Sequence, residues 1–255
     1  MLEAILWDVD GTLAETELEG HLKAFNRAFE ALDVPWRWNE QRYGELLTVA
    51  GGRERLLHDM QFQGHAPHTV QQRRVLAEQV HELKNQVYAD IVSRGDLPLR
   101  EGVRELMEDC MRAGMRMGIV TTTSRSNIEA LLQTHLGAAW ESQFAAVISA
   151  AEAPLKKPHP QAYLLALETL QLRPHQAVAM EDAPAGIAAA RTAGVPVILT
   201  RSHFFAAADS RLALAAGPSL GQTDGWCPTA DARTTRINLE QIIRFHAQNA
   251  GRLQC

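Results

Sequence analysis

Two aspartates follow an apolar run near the amino terminus of this 255-residue chain. Residues 4–8 have the pattern of a buried β-strand, and Asp8-Val-Asp10-Gly-Thr continues it as a tight turn. Two carboxylates separated by one residue at a strand end can supply one nucleophile and one general acid or base. A carboxylate that attacks phosphorus also requires nearby cations, because phosphoryl transfer depends on positioning and charge neutralisation.

Three later segments supply such groups, each at the end of a predicted strand or shortly after one. Thr121–Thr123 offers hydroxyl and amide donors for phosphoryl oxygens. Lys156–Pro158 forms a turn that holds an ammonium group as a point charge. Glu181 and Asp182 provide hard oxygen ligands that could hold Mg²⁺ together with Asp8. The sequence therefore predicts one site that combines a nucleophile, phosphoryl-binding groups and a metal.

Each segment has an ordinary structural interpretation when it is taken alone. Aspartate and glycine are favoured in turns, and the threonines could simply cap the next helix. Glu181 and Asp182 could cap the helix that begins near Pro184. Four such segments in this order, each at a strand end, favour the phosphoryl-transfer site over four unrelated turns.

The predicted elements indicate how these groups are brought together. After Gly95 the pattern alternates helix with strand, which predicts an α/β fold with a doubly wound parallel, Rossmann-like sheet. Helical periodicity over 17–94 predicts a helical cap inserted after the first strand, so the domains are 1–15 with 96–255 and the cap 16–95. We expect hinges near 14–17 and 93–97, and a surface loop over 217–236 before a final helix over 239–248.

Composition limits the other possibilities. A formal net charge of −5 leaves no basic field for nucleic acid or an anionic membrane. The amino terminus lacks the pattern of a signal peptide, and three cysteines (Cys110, Cys227, Cys255) form no disulfide framework. These features predict a cytoplasmic protein, which we expect to be a monomer, with a small molecule rather than a macromolecule as its partner.

The four segments in this order closely resemble the signature motifs of the haloacid dehalogenase superfamily. The resemblance implies that Asp8 forms an aspartyl-phosphate, while Asp10 protonates the leaving group and then deprotonates water. It implies that Thr121 and Lys157 bind the transferring phosphoryl group. It also implies a Mg²⁺ cofactor whose ligands come from the residues Asp8, Asp10 (through its carbonyl), Asp182 and, in support, Glu181. The resemblance of the four segments to this family further implies that the small-molecule partner is a phosphorylated sugar.

The predicted cap carries a second candidate site for an anion. Gly51 and Gly52 open a helix that continues with Arg53 and Arg55, which places free amides and two guanidinium groups together. Two anion sites facing one cleft favour a bisphosphate substrate. This region is similar to the CbbY branch of the superfamily, which includes a xylulose-1,5-bisphosphate phosphatase. The similarity implies these substrate contacts: Glu17, His21, Tyr43, Gly52, Arg53, Arg55, Thr122 and Thr123.

The match to the CbbY pattern has three departures. Arg53 stands where that branch usually has lysine, Leu22 where it has arginine, and Ala183 where it has serine. The prediction is a Mg²⁺-dependent phosphatase acting on a pentulose bisphosphate such as xylulose-1,5-bisphosphate. Three alternatives remain open: a sugar phosphomutase resembling β-phosphoglucomutase, a phosphatase for phosphoglycolate or a similar small ester, and a catalytically silent sugar-phosphate sensor.

Overall fold

A six-stranded parallel sheet forms the centre of the protein in the computed structural model, which describes residues 1–231 and 233–249. The strands are β1 (Ala4–Trp7), β2 (Arg116–Val120), β3 (Ala146–Ile148), β4 (Ala177–Glu181), β5 (Val197–Thr200) and β6 (Ala215–Gly217). Their order across the sheet is β3-β2-β1-β4-β5-β6, and each neighbouring pair is parallel. This topology confirms the predicted doubly wound α/β fold.

Helices cover both faces of this sheet, as they must when parallel strands are buried on two sides. They are α5 (Val103–Ala113), α6 (Arg125–Leu136), α7 (Gln161–Leu170), α8 (Pro184–Thr192) and α9 (Leu239–Asn249). Successive residues of β1 point to opposite faces. Ile5 and Trp7 pack in the apolar cluster that includes α5, α6 and α9, and Ala4 and Leu6 pack in the cluster that includes α7 and α8.

A helical segment is inserted directly after β1, as the periodicity predicts. It begins with a π-helical turn, Glu17–Leu22, and continues through α1 (Lys23–Ala31), α2 (Glu40–Leu46), α3 (Gly52–Asp59) and α4 (Val70–Ser93). We call residues 16–95 the cap and the rest of the described chain the core. The cap has its own apolar cluster, rich in aromatic rings. Residues 250–255 of the predicted core, including Cys255, lie outside the described residues.

The segment after β5 differs from prediction. The sequence analysis missed β6, whose three small residues give no periodic signal, and it assigned 217–236 to a surface loop. That assignment is wrong at several positions. Gly217 ends β6, and Trp226 is only 5% exposed and stacks on Phe245 with ring centroids 5.7 Å apart. The segment therefore covers part of the core.

Two further sequence predictions concern cysteines and membranes. Cys110, which is buried, and Cys227, which is exposed, are both free thiols. Among the helices described for 1–231 and 233–249, we find none that combines the length and apolarity needed to cross a bilayer.

Candidate active site

Asp8 lies at the carboxyl end of β1, in the middle of the sheet. Its amide donates to the carbonyl of Met180 on β4 at 3.1 Å, which fixes its position. Its side chain is buried, and its Oδ1 accepts a hydrogen bond from Lys157 Nζ at 2.6 Å. The same ammonium group donates to the carbonyl of Val120 at 2.8 Å and to Glu181 Oε1 at 2.7 Å. Burial raises the pKa of Asp8 to about 7, although Lys157 opposes that shift. The two carboxylates raise the pKa of Lys157 despite its burial, so Lys157 remains a cation.

Three buried carboxylates meet beside this ion pair. One oxygen each from Asp8, Glu181 and Asp182 lies within 4.8 Å of the others. Burial and the charges of the other two carboxylates raise the pKa of Asp182 well above its ordinary value. Asp182 reaches the β1 turn because Gly11, at φ +82°, has no side chain; a Cβ there would lie 2.1 Å from Asp182 Oδ2. The cluster is a hard-oxygen donor set whose mutual repulsion a divalent cation would relieve.

Asp10 points toward the cap, where two side chains hold its carboxylate. Thr16 Oγ1 donates to Asp10 Oδ1 at 2.6 Å, and His21 Nε2 lies 3.0 Å from the same oxygen. Burial alone would raise the pKa of Asp10, but His21 and Thr16 together hold it below its usual range. The π-helical turn places His21 here, and it requires Gly20, since a Cβ at that position would lie 2.9 Å from Tyr88.

The threonine segment follows β2 and separates into two functions. Ser124, rather than a threonine, is the N-cap of α6, since its hydroxyl accepts from the amide of Asn127 at 3.3 Å. Thr123 Oγ1 accepts from the side chain of Asn127 at 2.9 Å. Thr121 and Thr122 line the cavity beside Asp8, and neither is the N-cap of α6, because Ser124 takes that position.

Two adjoining cavities lie between core and cap, and together we call them the cleft. One part, of about 330 Å³, is lined by Asp8, Lys157 and Asp182, and the other, of about 280 Å³, is lined by α3, α4 and the threonine segment. The two parts share five residues: Asp10, Glu17, Gly51, Arg55 and Thr122. A molecule bound at Asp8 can therefore extend into the cap.

Arg55 is the most buried cation of the cap segment that the sequence singles out. Its Nη1 donates to Tyr43 Oη at 2.9 Å and lies 3.9 Å from Glu17, and its Nε donates to the carbonyl of Leu46 at 3.1 Å. Tyr43 Oη in turn donates to Glu17 Oε2 at 2.5 Å. Tyr43 is fully buried, so it lies behind Glu17 and Arg55 rather than at the cleft surface.

Arg53 and Gly52 also line the cap side of the cleft, in different settings. The Arg53 side chain is half-exposed and pairs with Glu78 at 2.9 Å, so its charge is already balanced in part. Gly52 lets α3 approach its neighbours closely, because a Cβ there would lie 3.1 Å from both His81 and Phe25.

The sequence analysis did not name several lining residues of the cleft as contacts, among them His81, Lys84, Asn127 and Lys156. Lys84 is the most informative, because it occupies a buried position of α4 on the same stripe as Val80, Tyr88 and Ile91. A lysine inside the apolar stripe of a helix was the signal available in the sequence. Burial lowers the pKa of Lys84 to about 8 and that of His81 to about 4.

Comparison with known proteins places this geometry in a family. Residues 2–194 match the model of the haloacid dehalogenase-like hydrolases. The chain is 41% identical over 220 residues to the plasmid-encoded protein CbbY of Cupriavidus necator, an alignment that covers 86% of each chain.

Two solved structures show the same fold. The first is a CbbY mutant from Rhodobacter sphaeroides in complex with xylulose-1,5-bisphosphate, with TM-score 0.81, 36% identity, and coverage of 88% of this chain and 97% of that one. The second is β-phosphoglucomutase from Clostridium difficile, with TM-score 0.72, 20% identity, and coverage of 98% and 100%. At that identity the second likeness concerns the fold alone.

Proposed function

The chain belongs to the haloacid dehalogenase-like hydrolases, and we propose that it is a CbbY-type phosphatase that hydrolyses a pentulose bisphosphate such as xylulose-1,5-bisphosphate. The observation that carries the proposal is the shape and charge of one cleft. It has a nucleophile and Lys157 at its core end, and Arg55 and Lys84 at its cap end. The relative from Rhodobacter sphaeroides binds xylulose-1,5-bisphosphate, which supports the same ligand here.

The core end is suited to forming an aspartyl-phosphate. Lys157 holds Asp8 Oδ1, which fixes the carboxylate and leaves Oδ2 to attack phosphorus. The positive charge of Lys157 then stabilises the phosphoryl oxygens, where negative charge accumulates, and the donors of Thr121 and Thr122 bind them. Glu181 and the carbonyl of Val120 keep the ammonium group of Lys157 in place.

Asp10 is the proposed acid and base. In the first step it protonates the sugar oxygen as the phosphorus–oxygen bond breaks, while Thr16 and His21 hold its carboxylate in place. In the second step it removes a proton from the water that attacks the aspartyl-phosphate, which regenerates Asp8 and releases inorganic phosphate.

We propose that a Mg²⁺ ion would be held by Asp8, the main-chain carbonyl of Asp10 and Asp182, with support from Glu181. The hard oxygen donors and their mutual repulsion fit such a cation. When bound, Mg²⁺ would neutralise charge between the nucleophile and the phosphoryl group. Ser202 orients Asp182 by donating to its Oδ2 at 2.6 Å.

The cap end is suited to a second phosphate group. Arg55 and Lys84 line it, and Glu17 and His21 lie between the two ends, where they can accept from or donate to sugar hydroxyls. A substrate with one small phosphate ester would leave the buried ammonium group of Lys84 without an anionic partner, since Lys84 forms no ion pair with a carboxylate of the described residues, whereas Arg55 already lies 3.9 Å from Glu17. The cleft therefore favours a bisphosphate over phosphoglycolate.

Phosphate release from a panel of esters tests this proposal. The panel contains xylulose-1,5-bisphosphate, ribulose-1,5-bisphosphate, a hexose monophosphate and phosphoglycolate, each with Mg²⁺, and Asp8→Asn is the control variant. We expect preferential hydrolysis of xylulose-1,5-bisphosphate by the native enzyme and no hydrolysis by the variant. Isomerised ester without free phosphate would identify a mutase, and ligand-induced stabilisation without any turnover would identify a sensor.

A further inference from the structure

The loop that follows β5, residues 201–207, belongs to the core and packs against the cap. We call it the β5 loop. Its first buried residue, Ser202, belongs to the core site, because its hydroxyl donates to Asp182. The next two residues turn toward the cap. The amide of His203 donates to Glu15 at 3.2 Å, and His203 Nε2 lies 2.6 Å from Glu40 Oε1 on α2.

Phe204 makes an apolar contact between this loop and the cap. Its ring packs edge-on against the ring of Tyr43, with centroids 5.7 Å apart and planes at 62°. It also packs over Gly44, where a Cβ would lie 3.2 Å from the Phe204 ring. Phe204 is thus a core residue packed against the apolar cluster of the cap.

The ring that Phe204 contacts carries a hydroxyl group with two partners in the cleft. Tyr43 Oη donates to Glu17 and accepts from Arg55. Burial and the charge of Glu17 raise the pKa of Tyr43 well above its ordinary value, so the hydroxyl stays protonated and remains a donor. Any tilt of the Tyr43 ring would therefore displace both Glu17 and Arg55.

We infer that Phe204 is a positioning residue: it holds Tyr43, and through Tyr43 it places Arg55 and Glu17 against the far end of the substrate when the cap is closed. This inference rests on the proposed function, since it assigns Arg55 to the second phosphate. The β5 loop then contacts both sides of the cleft, because Ser202 donates to Asp182 and Phe204 packs against Tyr43 two residues later. Lys156 of the core pairs with Glu54 of the cap at 2.5 Å, elsewhere on the cleft wall, so the cap meets the core at more than one place.

A two-substrate comparison separates positioning from a general structural role. Phe204→Ala should lower kcat/KM for xylulose-1,5-bisphosphate by about 3- to 10-fold, mainly through KM, as expected for the loss of one aromatic pair. Hydrolysis of para-nitrophenyl phosphate, which has no second phosphate, should change less than about twofold. Phe204→Tyr keeps the ring and should restore most of the activity on the bisphosphate.

Phe62→Ala is the matched control, because Phe62 is an exposed aromatic residue of the cap that contacts His58 and Arg42. Phe62→Ala should leave the hydrolysis of both substrates unchanged. An equal loss on both substrates in Phe204→Ala, or no loss on the bisphosphate, would overturn the inference.

Hydrogen–deuterium exchange of α2 without substrate tests the packing independently of the substrate assignment. Phe204→Ala should speed exchange in α2 relative to Phe62→Ala, because Phe204 covers Tyr43 and Gly44. Unchanged exchange overturns the inference even if the enzyme proves to be a phosphatase. Failure of the native enzyme on every bisphosphate refutes the proposed function instead.

Discussion

Replacing Lys84 with methionine should stabilise the folded protein while it weakens substrate binding. Lys84 is only 4% exposed, and its ammonium group lies 3.2 Å from Asn85 Oδ1 and 5.4 and 5.3 Å from the ring centroids of Phe25 and Tyr88. Among the residues that the structure describes, no carboxylate forms an ion pair with it. The fold therefore holds a buried cation that only a bound anion would fully compensate.

The size of this effect follows from the pKa of Lys84. Burial lowers that pKa from 10.5 to about 8. A change of one in pKa corresponds to about 1.4 kcal/mol, so keeping the ammonium charged at pH 7 costs the folded state about 3 kcal/mol. Methionine keeps an apolar chain in the same space, so Lys84→Met should raise the free energy of unfolding by up to about 3 kcal/mol, or roughly 5–10 °C in Tm.

Scanning calorimetry in phosphate-free buffer measures this gain. The pKa of Lys84 is lower in the folded than in the unfolded state, so the penalty is fully present below pH 8 and is lost as the pH rises toward 10.5. The advantage of Lys84→Met at pH 7 should therefore fall to about half at pH 9.5. Lys23→Met, at an exposed lysine, should show no comparable gain. A Tm for Lys84→Met at or below that of the native protein would refute the reasoning.

Three other perturbations test the same geometry. Steady-state kinetics should show KM for the bisphosphate rising up to about tenfold between pH 8 and 9 as Lys84 loses its proton, with a flat profile in Lys84→Met. Arg55→Lys should lower kcat/KM on the bisphosphate about 10- to 100-fold, because the buried fork of donors is lost, whereas Arg53→Lys, at a half-exposed pair, should change it less than about threefold. Gly11→Ala should abolish turnover, because it adds a clash to an unfavourable φ of +82°. Gly114→Ala, in the left-handed C-cap of α5 at φ +66° with open space, should cost only about 1–2 kcal/mol of stability.

The core site could be predicted from the sequence because the carboxyl ends of parallel strands lie at one edge of the sheet. Asp8 and Lys157 are separated by 149 residues, yet each follows a strand of the same sheet, and they meet at 2.6 Å. Chain order and periodicity were sufficient to predict that meeting. The three-residue strand β6 was not predictable in the same way, because Ala215–Gly217 is too short and too small to show a period.

The cap contacts were harder to predict from the sequence, for a different reason. Periodicity predicts that α2 and α4 form, but it does not show which face of a helix meets the core. The sequence shows that Lys84 is on a helix, but only the position of α4 over the cleft shows that Lys84 lines it. The sequence places Phe204 in a loop, and only the tertiary structure shows that this loop packs on Tyr43. Such contacts depend on tertiary packing, which local patterns do not encode.

The departures at Leu22 and Ala183 also become intelligible at this level. Leu22 packs in the apolar cluster of the cap, where it supplies no charge. Lys84 and Arg55 supply cations to the cleft. Ala183 is the N-cap of α8 and makes no side-chain hydrogen bond there, which costs about 1 kcal/mol relative to a serine. The hydroxyl that orients Asp182 comes instead from Ser202, so the loss at Ala183 falls on the stability of a helix end and spares the carboxylate cluster. The β5 loop is therefore the part of this chain on which the proposed metal ligand and the substrate-binding cap both depend.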